Sequence, residues 1–291
     1  MKSKYEEAFE KFNASQSQEE IQKEIEKIIE RDFTSCNKLE VLQTLYSCID
    51  LTTLTAKDRK STVVPFVEGV NERAIQYKGC LPPVAAICVY PAFVHLVKET
   101  LKVPSVHIAA VSGGFPASQT LLDVKAVETA LTIREGADEI DIVLNVGAFL
   151  DGDYEAVVRE LHELRSEAKE VLLKVILETG ALESPELIQK ASILSLFSGA
   201  DFIKTSTGKE YPGASLVAAY VMAKVLRQYY EAYGERKGLK ISGGVSSPED
   251  AVKYYCVAKS ILGEEWMTPN LFRIGTSSLE GKLRKAILDQ R

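Results

Sequence analysis

What most constrains this chain is an alternation. From residue 47 onward, eight short apolar runs of strand character recur: Ser47–Leu54, Val84–Tyr90, Val106–Val111, Glu139–Asn145, Val171–Glu178, Asp201–Thr205, Leu239–Ser242 and Phe272–Gly275. Segments with helical periodicity separate most of them, among them Leu121–Glu135, Tyr154–Ala168, Pro185–Ser195, Ser215–Tyr230 and Pro248–Tyr255. Ser184-Pro185 and Ser247-Pro248 place proline in the first turn of two of these helices. Eight such units on 291 residues point to an α/β fold, a (β/α)8 TIM barrel. A doubly wound sheet is the rival. It wants a glycine-rich phosphate loop after an early strand, and Gly113-Gly114 in AVSGGFP matches GxGxxG poorly.

Residues 1–45 precede the first unit and are rich in Glu, Lys and Gln. Within Glu19–Phe33, Ile21, Ile25, Ile28 and Ile29 fall at helical spacing, as in an amphipathic helix lying on the main body. No linker divides the rest. The expected organisation is an N-terminal helical extension, 1–45, on one barrel domain, 46–291.

Two of the strand runs carry an anomaly. ADFIKTSTGK (Ala200–Lys209) and GLKISGGV (Gly238–Val245) each place a lysine in a run that ought to be buried, then break into glycine and hydroxyl residues. An ammonium leaving water needs a partner or must lose its charge. Side chains alternate across a strand, so Lys204 shares a face with Phe202 and Ser206, and Lys240 with Gly238 and Ser242. By the same rule Asp141 groups with Glu139, Val143 and Asn145, and Lys174 with Leu172, Ile176 and Glu178. If these faces line a barrel, Asp141, Lys174, Lys204 and Lys240 meet in the lumen, which then holds three lysines and few carboxylates.

Adjacent strands lie about 4.8 Å apart, so Lys204 and Lys240 can crowd their charges and lower an amine pKa. Bringing a lysine from roughly 10.4 to near 7 takes about 4–5 kcal/mol. A neutral lysine is a nucleophile for a carbonyl. Lys204 is the expected nucleophile and Lys240 the group that perturbs it. Asp141 is either a proton relay or a counter-ion, with Lys174 supporting it. Asp50, ending the first run, is a candidate for binding a substrate hydroxyl or for joining the hydrogen-bond network. Cys88 reads as a buried structural thiol.

Small-residue loops follow the last three runs: Ser206-Thr207-Gly208-Lys209, Gly243-Gly244-Val245-Ser246 and Gly275-Thr276-Ser277-Ser278. Backbone N–H groups and hydroxyls in such loops can hold a phosphate without much net charge.

The totals exclude several classes. A net charge of −6 argues against nucleic acid as a main partner, and no apolar run approaches a membrane span. Histidine occurs only as His95, His107 and His162, without metal-binding spacing, so no metal is expected. Five cysteines, with no CxxC pair, and a charged MKSKYEEAFEKF start suggest reduced thiols and a cytoplasmic location.

From DLTTL (Asp50–Leu54) to FRIGTSSL (Phe272–Leu279), the chain resembles the deoxyribose-phosphate aldolase family. The resemblance runs through AAICVYP, GADEIDIVLNVGA, LLKVILETG and, most specifically, GADFIKTSTGK with a second lysine before GGV. It implies a class I aldolase on a TIM barrel, without cofactor, that cleaves 2-deoxy-D-ribose 5-phosphate to D-glyceraldehyde 3-phosphate and acetaldehyde. Lys204 would form the Schiff base, Lys240 would perturb it, and Asp141 would move protons. Gly208, Gly243, Gly244, Ser277 and Ser278 would bind the sugar phosphate, with Lys209 nearby. Ile241, Ser242 and Ser246 depart from the family's usual proline, alanine and basic residue. Homo-oligomer formation is left open. A metal-dependent aldolase or isomerase, and a non-catalytic sugar-phosphate-binding barrel, are the rival functions.

Overall fold

The computed structural model describes residues 3–12 and 16–290; residues 1, 2 and 13–15 of the expected extension lie outside them. Eight parallel strands close into a barrel in sequence order, β1 pairing β8. They are β1 (Ile49–Thr52), β2 (Ala86–Val89), β3 (His107–Ser112), β4 (Glu139–Val143), β5 (Leu172–Ile176), β6 (Phe202–Lys204), β7 (Gly238–Ser242) and β8 (Phe272–Thr276). Each lies inside, or within a residue of, its sequence-read run. The doubly wound alternative fails because no sheet edge is left open.

Three helices precede β1: α1 (Lys4–Lys11), α2 (Gln18–Cys36) and α3 (Leu39–Ser47). Between strands run α4 (Lys60–Gln76), α5 (Val94–Thr100), α6 (Leu122–Arg134), α7 (Val146–Leu150), α8 (Tyr154–Glu167), α9 (Thr179–Leu182), α10 (Pro185–Phe197), α11 (Leu216–Tyr233) and α12 (Pro248–Leu262); α13 (Leu279–Asp289) follows β8. The Ser-Pro starts behave as read: the Ser184 and Ser247 hydroxyls accept from the backbone N–H groups of Leu187 and Asp250. Helix α2 lies across α11 and α12, burying Ile21, Ile25 and Ile28. No helix among the described residues is long and apolar enough to cross a membrane.

The main core lies between barrel and helices, where the outward strand residues Ile140, Leu173, Val175, Ile203, Leu239 and Ile274 meet the helical ring. A smaller apolar cluster inside the barrel gathers Leu54, Ala86, Cys88, Ala109 and Val111, with Tyr90 and Phe115 against it. The far side of the lumen is polar. At its lower end the Arg273 guanidinium sits 5.7 Å from the centre of the Phe202 ring. Gly238 leaves room for that ring, because a Cβ there would overlap it. Gly238→Ala is expected to lower stability by about 1–3 kcal/mol, the range for overpacking a core. Thermal unfolding of that variant checks it, and an unchanged midpoint would contradict this packing.

Candidate active site

Seven charged side chains fill the polar side of the lumen, all 3% exposed or less: Asp50, Glu139, Asp141, Lys174, Lys204, Lys240 and Arg273. Strand register sets their heights, since Lys240 is the Cα partner of both Lys204 and Arg273, and Asp141 that of Lys174. Near the floor, Arg273 Nη1 donates to Asp50 Oδ1 at 2.6 Å and Nη2 to Glu139 Oε1 at 2.8 Å. Above it, Lys174 Nζ bridges Glu139 Oε2 (2.6 Å) and Asp141 Oδ1 (3.0 Å). The other Asp141 oxygen, Oδ2, accepts from both Lys204 (2.8 Å) and Lys240 (2.7 Å). Lys240 also pairs with Asp50. Sharing one oxygen atom, the two ammonium nitrogens can be no farther apart than the sum of those two bonds.

Two sequence expectations are corrected. The lumen is not short of carboxylates: Arg273 makes four cations, and three carboxylates oppose them. Asp50 does not face a substrate; it is fully buried between Arg273 and Lys240, so it belongs to the charge network, the second of its two expected roles.

The network separates the lysines by charge state. Burial pulls the Lys204 amine down, Asp141 resists, and the charge on Lys240 adds to the fall, leaving Lys204 below the usual lysine range. For Lys240, burial acts the same way, but Asp141 and Asp50 outweigh it and hold the pKa above that range. Lys174 is raised too, because Asp141 and Glu139 overcome its burial. Burial lifts the Asp141 carboxyl, yet three lysines outweigh it and hold it well below the ordinary carboxylate range. Lys204 is thus the one of the three lysines whose proton is loosened. Cys88 is raised by burial, which keeps it a thiol.

Lys204 opens at its upper end into a mouth of about 280 Å³, lined by Thr52–Thr55, Thr207–Lys209, Ser242–Ser246 and Gly275–Ser278. Every mouth residue singled out in sequence lies here: Thr207, Gly208, Lys209, Gly243, Gly244, Ser277 and Ser278. The loops are pinned to one another. Thr205 Oγ1 donates to Ser242 O (3.0 Å) and accepts from Ser242 N (2.9 Å). Gly213 packs against Gly243 so tightly that a Cβ on Gly213 would strike its carbonyl. A larger cavity, about 970 Å³, lies at the opposite end of the barrel between α3, the end of α4 and the loops before β2 and β3, away from all of these residues.

Sequence reading gave three residues here no role, although it set Glu139 on the face of Asp141 and Glu178 on that of Lys174. Arg273 and Glu139 complete the charge network. Glu178, buried and left-handed (φ 55°), accepts from the Thr207 N–H at 3.2 Å and from its hydroxyl, holding the β6 loop in place. Burial lifts the Glu178 carboxyl above its ordinary range against the pull of those bonds. Arg273 carried a readable signal, a charge inside a strand run like that of the lysines. Glu178 was legible as a neighbour of Lys174 on one strand face, but its left-handed backbone and its hold on Thr207 show only in the fold. Among the described residues, no three or more His, Cys, Asp or Glu side chains group so as to hold a metal ion.

Fold and site together define a barrel enzyme of the aldolase class. The chain belongs to the DeoC/LacD family of aldolases, whose model matches residues 44–278. It is 38% identical over 250 residues to deoxyribose-phosphate aldolase of Homo sapiens, spanning 82% of this chain and 78% of that one. With the Bos taurus deoxyribose-phosphate aldolase it shares 38% identity over 252 residues, 83% of this chain and 79% of the other. Among solved structures, the tetrameric deoxyribose phosphate aldolase of Aeropyrum pernix superposes with a TM-score of 0.66 at 25% identity, covering 95% of this chain and all of that one.

Proposed function

We propose that this chain is a class I deoxyribose-phosphate aldolase, cleaving 2-deoxy-D-ribose 5-phosphate reversibly to D-glyceraldehyde 3-phosphate and acetaldehyde through a Schiff base on Lys204. One observation carries the reading: two buried lysines share a single carboxylate oxygen, yet only the one at the mouth is depressed. The relatives' names supply the substrate.

Neutral Lys204 adds to the aldehyde carbon of the open-chain sugar. Loss of water leaves a protonated imine at C1, which takes up the electron pair of the C2–C3 bond as that bond breaks. The C3 hydroxyl gives up its proton as C3 becomes the aldehyde carbon of the departing glyceraldehyde 3-phosphate. The enamine that remains is protonated at carbon and hydrolysed, releasing acetaldehyde and free Lys204. Each covalent step is easier than direct cleavage. Asp141, beside Lys204 Nζ, is the group placed to move protons there, and Lys240 keeps a fixed positive charge next to it. The apolar wall of Cys88, Val111 and Leu54 suits the two-carbon end, and the amides and hydroxyls of the late loops suit the phosphate.

Ser246 carries no charge, but the rim is not without a cation: Lys282, on the first turn of α13, donates to Ser246 O at 2.8 Å. Lys282→Gln is expected to raise KM for the phosphorylated sugar roughly two- to fivefold, as one solvent-screened ion contact allows, with kcat unchanged. Steady-state kinetics on phosphorylated and unphosphorylated deoxyribose checks it, since only the former should respond. All five cysteines are free, which supports a cytoplasmic setting.

The decisive assay is acetaldehyde release from 2-deoxyribose 5-phosphate, with and without EDTA. Release that EDTA leaves intact is expected. Loss of activity with chelator would favour metal-assisted chemistry, and ligand binding without turnover would favour a sensor.

A further inference from the structure

A buried ion pair lies outside the lumen, and the chemistry above leaves it without a task. Helix α6 turns a polar side toward the barrel, burying Lys125, Thr129 and Thr132, while Val124 and Val127 on its outer side are 52% and 58% exposed. Lys125 Nζ donates to Glu160 Oε1 on α8 at 2.7 Å and to Ser118 Oγ at 2.8 Å. The Ser118 hydroxyl donates in turn to Glu160 Oε1 at 3.3 Å, and Asn145 Nδ2, beyond the end of β4, to Glu160 Oε2 at 3.4 Å. Lys125 is fully buried, and Ser118 and Glu160 are buried beside it. For stability alone, an apolar pair of the same volume would serve as well. What a charged pair adds is direction, because each donor must meet its acceptor at a fixed distance and angle.

What the pair fixes is the loop from β3 to α6. Ser118 sits in that loop with a left-handed backbone, φ 57°, which a residue other than glycine keeps only when its surroundings hold it there. Its N–H donates to Gly114 O at 2.9 Å, closing the turn from Gly114 to Ser118. The Gly114 N–H donates to Glu128 Oε2 at 2.8 Å. Both ends of the turn are therefore anchored to side chains of α6. Phe115 is carried inside this turn. Its ring stands 6.1 Å from that of Tyr90, edge to face, and packs on the apolar cluster that holds Leu54, Cys88 and Val111. Leu54 in turn lines the mouth above Lys204.

We propose that Lys125, Glu160 and Ser118 are positioning residues: they hold the Phe115 ring as the outer wall of the pocket for the two-carbon end, and so set how large a donor aldehyde the enzyme accepts. This rests on the reading of Lys204 as the Schiff-base lysine with that apolar wall beside it. Acetaldehyde brings two carbons to the pocket, and propanal one more. One extra methylene against a fixed apolar wall is worth roughly 10- to 200-fold in kcat/KM. A ring released from its anchors loses part of that discrimination.

The test runs in the condensing direction, with D-glyceraldehyde 3-phosphate as acceptor and acetaldehyde or propanal as donor. It reads the ratio of kcat/KM for the two donors. Phe115→Ala should raise the propanal-to-acetaldehyde ratio about tenfold. Lys125→Met/Glu160→Leu removes both charges together, so that neither is left buried alone. Ser118→Gly keeps the ion pair and suits a positive φ. Each of these two should raise the ratio by about threefold or more, a part of the full effect. Thermal unfolding confirms that the variants are folded, and Ser118→Gly decides alone if the double variant is not. A ratio unchanged in Phe115→Ala overturns the proposal. So does a ratio unchanged in Ser118→Gly and the double variant while kcat/KM falls equally for both donors, since a purely structural cluster would act that way. Wild type that forms no product from acetaldehyde would overturn the aldolase reading, and this proposal with it; unaltered ratios in an active enzyme overturn the proposal alone.

Discussion

Replacing Lys204 by leucine is expected to lower turnover of 2-deoxyribose 5-phosphate by about four orders of magnitude or more, the scale seen when a covalent nucleophile is removed. The remaining lumen cannot substitute for it. Lys174 and Lys240 are held above the usual lysine range by their carboxylates, so each stays protonated and unable to add to a carbonyl. The variant should still fold. Asp141 keeps Lys174 and Lys240 as partners, and the group removed is one that burial already disfavours in its charged form. Borohydride reduction in the presence of acetaldehyde provides the direct readout. An ethyl group on the peptide containing Lys204, absent from the leucine variant, is the expected result. An ethyl adduct at another lysine, or a leucine variant within about tenfold of wild type, would refute the assignment.

The second large effect belongs to Lys240. Its replacement by leucine removes the fixed charge beside Lys204 and leaves Lys204 with Asp141, so the Lys204 amine rises toward the ordinary range. Each unit of that rise cuts the neutral fraction near pH 7 about tenfold. The expected outcome is a loss of roughly 100- to 1000-fold at neutral pH, with a partial return at higher pH. A rate lost equally at every pH would show that Lys240 acts some other way. Stability should fall too, by about 3–5 kcal/mol, because removing one member of a buried ion network leaves its partners uncompensated. The pH dependence has a definite sign. Asp141 and Asp50 are depressed, so their contribution is present at neutral pH and fades as pH drops below the ordinary carboxylate range. Lys240 is raised, so its contribution is complete at neutral pH and fades only as pH climbs past the ordinary lysine range.

Strand periodicity made much of this legible. A lysine inside an apolar run is costly unless used, and the period of two assigned Asp141, Lys174, Lys204 and Lys240 to one face without any knowledge of their partners. Their convergence followed from closing eight units into a ring. What stayed hidden depends on geometry that no local pattern carries. Arg273 and Glu139 lie on β8 and β4, so their contact exists only once the lumen is drawn across. Lys282 meets the rim through Ser246, a contact across 36 residues that nothing in its sequence neighbours announces. Helix α6 misleads in a different way: periodicity identifies a two-faced helix but not which face turns inward. Helix α4 was obscured by Pro65, which lies inside it.

Arg273 has a consequence for how the molecule is put together. It sits on the strand that shuts the ring, and it neutralises acids brought by the first strand and the fourth. With that strand undocked, Asp50 lacks its guanidinium and Glu139 lacks a cation, so an open ring holds acids without their partner. A ring open at its eighth strand is therefore penalised by its own stranded charge.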